Sequence, residues 1–209
     1  MVVVHRAFRR EFGQIAELVL QAPAGDLRRA AVIAKHLDLV VEVLHHHHQA
    51  EDEYLWPLLL ARAAMRADLV HRMEHQHEAM GSCLDKIEAL LNQWRRTSAA
   101  SPARELSATL WTLSKALVEH LDDEERHILP LAEECLTSAE WEKLGEIASS
   151  QIPASQRFTV LGMLLAEASQ AETLVFMGML PAPVRVLWKL RGRHGYARYI
   201  KRVHGDALL

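Results

Sequence analysis

Two segments of the chain share one pattern. "HHQAEDEYLWP" (His47–Pro57) and "HLDDEERHILP" (His120–Pro130) each read histidine, glutamate four residues on, a second acid beside it, and proline ten residues after the histidine. The stretches before them also align, "HRAFRREFGQI" (His5–Ile15) with "HEAMGSCLDKI" (His77–Ile87). A helical hairpin present twice leaves few folds open. Neither copy can bury its apolar stripe alone, and two copies packed about a pseudo-twofold axis make a four-helix bundle with corresponding residues meeting at its centre.

The rest of the chain agrees with an all-α reading. Strand signals are scarce and a 3.6-residue apolar period dominates. Helix 1 is expected at about 2–21, closed by "QAPAGD". Helix 2 should run from Asp26 to about Arg62 with a kink at Pro57. Helix 3 is expected over about 68–95 with Asp68 as N-cap. Ser101 followed by Pro102 reads as the start of helix 4, which should end near Leu136 after Pro130. "TSAE" (Thr137 to Glu140) reads as a capping box. Short helices are expected near 138–150, 155–168, 170–180, 183–191 and 195–204. The expected architecture is four long helices over residues 1–135 with a helical C-terminal extension over 136–209.

Helical geometry sorts the histidines, thirteen in all. His45 to His48 form an internal run rather than a tag. With about 100° per residue, Ile33, Leu37, Val40 and Leu44 lie on the His47 side of helix 2, and Glu51 falls in the middle of that stripe. His45 and His46 point away, and His48 sits at the edge, open to a role as ligand, as ligand support or as a boundary residue. On helix 4, His120 and Glu124 share the sector of Leu106, Leu110, Leu113 and Leu117. His77 faces in with Met73 and Met80, whereas His71 and His75 face out. His5 shares its side with Phe8 and Phe12.

Six inward polar groups therefore converge: His5, His47, Glu51, His77, His120 and Glu124. Carboxylates buried without partners cost several kcal/mol each, to order of magnitude. Lysine and arginine are absent from these faces, so a bound cation is the expected compensation. Four imidazoles and two carboxylates suit Fe, Mn or Zn, and thiolate is not needed.

The paired H-x-x-x-E…P segments resemble those of hemerythrin-like (HHE cation-binding) proteins, over residues 1 to about 135. The resemblance implies an up-down four-helix bundle around a non-haem di-iron centre, with His5, His47, Glu51, His77, His120 and Glu124 as ligands. It makes the two glutamates bridging carboxylates, with Zn or Mn as less favoured occupants. Oxygen-carrying hemerythrins pair two histidines four apart on helix 3, where this chain has Met73 before His77 and Gly81 after it. They also use aspartate on the last helix. Fewer nitrogen ligands leave open positions and favour ligand activation or sensing over oxygen carriage. Tyr54 and His127, each seven residues after a ligand histidine, are further candidates near the site.

The function expected on this resemblance is reaction with peroxide, O2 or NO, as an enzyme similar to a catalase or peroxidase. The alternatives are a non-enzymatic O2, NO or iron sensor or binding protein, and a structural metal site. Net charge of −3 gives no reason to expect nucleic acid. Cys83 and Cys135 form no CxxC and fit a reducing cytoplasm. No apolar run reaches the roughly 20 residues of a membrane span, and "MVVVHRAFRREF" is too quickly charged for a signal peptide. Between Thr173 and Gly205 lie seven Lys/Arg and no Asp/Glu. This basic tail reads as a helical extension packed on the acidic bundle or forming a homodimer, with a membrane-surface or polyanion site as the alternative.

Overall fold

The computed structural model describes residues 1–205. They are almost entirely helical, and among them no strand occurs and no helix is long and apolar enough to cross a membrane. The chain forms two compact units, one of residues 11–151 and one of residues 1–10 with 152–209.

The larger unit is built on long helices. α1 (Val2–Gln21) contributes its length from Glu11 onward. α2 (Leu27–Ala50) begins after Asp26, whose carboxylate accepts the Arg29 N–H, and continues through a π-helical turn, Glu51–Leu55, into α3 (Trp56–Arg62). After a 3-10 turn, α4 (Ala67–Thr97) runs back. α5 (Ala100–Asp123) continues through a second π-helical turn, Glu124–Ile128, into α6 (Leu129–Cys135). Four long rods result, two of them broken in register at matching places.

The sequence explains the break. Pro57 and Pro130 have no N–H, and in a regular α-helix their rings would press on the carbonyl four residues back. Widening by one residue removes that clash. The Trp56 N–H then reaches the Glu51 carbonyl, and the Leu129 N–H reaches that of Glu124. The expected kinks are thus π turns, each opening on the glutamate of the repeat.

Apolar stripes at helical spacing close the core. Phe12, Ile15 and Val19 of α1 and Ile33, Leu37, Val40 and Leu44 of α2 have no exposed surface. Leu106, Leu110, Leu113 and Leu117 of α5 are also wholly buried, and α4 packs against both α2 and α5. Each such side chain contributes about 1.5–3 kcal/mol on burial. At one end the two hairpin loops meet: the Gly25 N–H donates to the Ser98 carbonyl, and the Ser98 hydroxyl donates to that of Pro23. Gly25 (φ 83°) takes a conformation that suits glycine, and Ser98 (φ 47°) ends α4 in the left-handed region.

Two of the expected boundaries move. α4 starts at Ala67 after Arg66, with no side-chain cap, so Asp68 lies in its first turn. α5 starts at Ala100 after Ala99, which places Ser101 and Pro102 inside the helix. The capping box at Thr137 and Glu140 is present as expected and opens α7 (Ser138–Ser150). Arg62 ties α3 to α7 through Glu140 and to the end of α6 through the Cys135 carbonyl.

The smaller unit joins the first ten residues to α8 (Arg157–Glu167), α9 (Gln170–Met179), α10 (Ala182–Leu187) and α11 (Arg193–His204), with a π turn at Trp188–Gly192. Within it, Arg6 donates to Glu172 at 2.6 Å and Arg10 to Glu167 at 2.7 Å. Glu172 also caps α9 reciprocally with Ser169. The Tyr196 ring of α11 rests directly on Gly162 of α8, where a Cβ would have no room.

Candidate metal centre

Helix phase in the larger unit buries the polar residues that the stripe predicts. His47, Glu51, His77, His120 and Glu124 are all buried, while His45, His71 and His75 are exposed and His46 is half-buried. His5, on the N-terminal part of α1, is wholly buried as well. His48 is also buried, although the sequence places it at the edge of the stripe.

These side chains form two donor groups. His47, Glu51 and Glu124 present ligand atoms within 4.8 Å of one another, and so do His48, His77 and His120. The groups adjoin: one Glu51 oxygen lies 3.2 Å from His47 Nε2, and the other 3.6 Å from His77 Nε2. His120 Nε2 is 3.9 Å from Glu124. The His48 ring stacks on that of His77 at 4.0 Å, close to parallel. His127 belongs to neither group and is half-buried, as is Tyr54.

Hydrogen bonds set the ring orientations. His77 Nδ1 is 2.7 Å from Asp52 Oδ1, which also accepts the Trp56 indole N–H at 2.9 Å. A carboxylate oxygen there assigns the proton to His77 Nδ1. His120 Nδ1 lies 3.0 Å from Gln76 Oε1, and the Gln76 amide donates to Asp123. With both Nδ1 atoms protonated, the Nε2 lone pairs of His77 and His120 face each other at 3.2 Å. Two facing lone pairs repel, and a cation between them turns the repulsion into coordination.

The carboxylates carry the same message. Both oxygens of Glu51 are buried, with the His47 and His77 imidazoles and the Glu124 carboxylate beside them. Burial first, and then the neighbouring Glu124 carboxylate, hold the Glu51 carboxyl well above its usual range. Imidazole and carboxylate in these numbers suit Fe, Mn or Zn. The residues present therefore fit a metal centre, and Asp52, Gln76 and Trp56 supply the outer hydrogen bonds that ligand histidines require.

The repeat hid part of this set. It aligns His47 with His120, and hence His48 with Leu121, an apolar core residue. Adjacent histidines on one helix were the available signal for His48. Asp52 appeared only as the second acid of the repeat, and nothing in the sequence singled out Gln76. His48 also supplies from α2 an imidazole beyond the four that the stripe identified.

An iron-sulfur cluster repair protein, YtfE of Edwardsiella ictaluri (strain 93-146), is 31% identical over 138 residues. The match covers 62% of this chain and 62% of that relative, so the chain spans less than two thirds of the relative's length. No solved structure matches. The family model of the hemerythrin HHE cation-binding domain matches residues 1–132, which include the whole set of buried histidines and glutamates. The chain belongs to the hemerythrin HHE cation-binding family.

Proposed function

We propose that the chain is a non-haem di-iron protein that binds and turns over dioxygen-derived species, with peroxide as the leading substrate and O2 or NO as the other candidate ligands. The observation that carries this reading is the pair of adjoining buried donor groups. His47, Glu51 and Glu124 would hold one ion and His48, His77 and His120 the other. His5, buried on α1 and matched to His77 in the repeat, is proposed to complete the first set. Glu51, with one oxygen toward each group, is the natural bridging carboxylate, and Glu124 is proposed as the second. Two irons supply redox equivalents and open positions for a small ligand.

The chain's own residues do the positioning. Asp52 and Gln76 fix the tautomers of His77 and His120, so that both Nε2 lone pairs point inward. Burial and the neighbouring Glu124 raise the Glu51 carboxyl and so favour its protonated form without a metal, and because a ligand carboxylate binds deprotonated, occupancy should rise with pH. Glu51, Glu124 and His120 have no exposed surface, which keeps bulk water from that part of the centre. No acid or base beyond the ligands is assigned to the reaction. Residues 136–209 are proposed as a helical extension outside the metal-binding domain of residues 1–135. The free thiols Cys83 and Cys135 support a cytoplasmic location.

The relative's name supports a second reading, in which the iron itself is supplied for iron-sulfur cluster repair. One experiment separates the two. Metal content is measured on the untagged protein, and absorption spectra are recorded before and after hydrogen peroxide. About two irons per chain with oxygen evolution support peroxide turnover. Two irons that leave readily to an iron acceptor, without turnover, support iron supply. Zinc alone in iron-replete medium reduces the centre to a structural site.

A further inference from the structure

A groove of about 690 Å³ lies between α2 and α4 in the larger unit. At its inner end are His48 and His77, both more than nine-tenths buried and both in the second donor group. Its outer part is lined by His45, His71 and His75 with Glu53, Glu74 and Glu78. Asp52 lines it too, with one oxygen on His77. No lysine or arginine is among the lining residues. His71 already pairs with Glu74 at 2.8 Å, and His75 with Glu78 at 3.4 Å. A Cβ at Gly81, also in the lining, would meet nothing within 4 Å, which leaves the wall open there.

We propose that this groove is the loading route of the metal centre, and that His45, His71, His75, Glu74 and Glu78 pass a hydrated divalent transition cation inward to His48 and His77. The proposal rests on the reading of the buried groups as a metal centre. Chemistry selects the traveller. A neutral diatomic gas gains nothing from a wall of imidazoles and carboxylates, and an anion is repelled by the acids. A divalent cation is concentrated by four or more carboxylates, and it can exchange water for imidazole one ligand at a time. The exposed pairs sit on one helix at spacings of three and four residues, so successive ligands are within a single turn of each other.

The test follows cobalt(II) uptake by the metal-free full chain through its visible absorption. The triple variant H45A/H71A/H75A changes only exposed or rim side chains and is checked for an unchanged unfolding midpoint. It should reach the same final cobalt content as the parent, with an initial rate about tenfold lower at micromolar cobalt. Gly81→Phe, which obstructs the groove and removes no ligand, should slow uptake to a similar degree. Parent-like rates in both variants overturn the route. A lower final content in the triple variant, with the remaining sites filling at the parent rate, also overturns it, because the three histidines then hold an ion of their own. A parent chain that binds no cobalt defeats the metal-centre reading itself, and that result is seen before any variant is made.

Discussion

Neighbouring residues on a helix point about 100° apart, so no single partner serves both His47 and His48. Here they divide between two donor groups, His47 with Glu51 and Glu124, and His48 with His77 and His120. That division makes a two-ion centre possible on a helix whose repeat mate offers Leu121 at the second position. Substitution tests it residue by residue. His47→Ala and His48→Leu should each lower bound metal by about one ion per chain, while His45→Ala leaves the content unchanged. Elemental analysis of the purified variants checks this, and equal retention in all three would defeat the assignment. Periodicity made His47 legible because it lies at the middle of the apolar stripe. His48 lies at the edge of the stripe, where helix phase suits a ligand, a ligand's support or a boundary residue equally, so its role stayed open. Gln76 was less legible still, since its role depends on where α4 meets α5, and helix phase carries no such information.

At the scale of elements, the paired prolines show how a local rule reaches the centre. Each is accommodated by a π turn that begins at a glutamate, and π turns shift every later side chain relative to the ones before. Replacing Pro57 with alanine restores an N–H for the Glu53 carbonyl and favours regular α-helical bonding through the turn. Pro57→Ala should therefore leave the unfolding midpoint of the metal-free protein equal or higher. Its metal affinity, measured by chelator competition, should fall by about tenfold or more. Pro57 and Pro130 were legible as breaks, but the kind of break was not, because proline alone permits either a bend or a widened turn. The capping box at Thr137 was legible in full, since its two hydrogen bonds are local. Its Glu140 also accepts from Arg62 of α3, and this contact, first, with the Thr137 cap next, lowers its carboxyl to about 2. A lowered carboxyl stabilises the fold above its ordinary value of 4.5, and that contribution fades as pH falls toward 2. Arg62→Ala should thus lower the urea midpoint at neutral pH, and the gap to the parent should narrow steadily below about pH 4.5. The pair is solvent-exposed, so the effect is small. A gap independent of pH would assign it to the lost Cys135 contact instead.

The whole molecule sorts its charge by unit in a way that the overall −3 conceals. Residues 1–10 with 152–209 carry eleven Lys/Arg and three Asp/Glu, and residues 11–151 carry thirteen and twenty-four. The basic tail was legible in the sequence. That it shares a compact unit with the start of α1 was not, because Arg6–Glu172 and Arg10–Glu167 join residues more than 150 apart, and helical periodicity records only near neighbours. Glu172 is held near 2 chiefly by Arg6, then by Ser169, so the contact is charge-assisted at neutral pH. The first turns of α1 therefore depend on α8 and α9 for partners, and His5 lies within those turns. A chain ending at residue 151 removes both glutamates and leaves Arg6 and Arg10 without them. Helix ends lacking tertiary contacts fray. Hydrogen exchange on the shortened chain should show lost protection over residues 2–10, with protection over α2 and α5 retained. Bound metal should fall as well, since His5 is proposed as a ligand. The full-length variant R6A/R10A should reproduce the loss of protection more weakly. If both chains keep residues 2–10 protected and hold metal as the parent does, the C-terminal helices do not support the N-terminal ligand, and their purpose lies elsewhere.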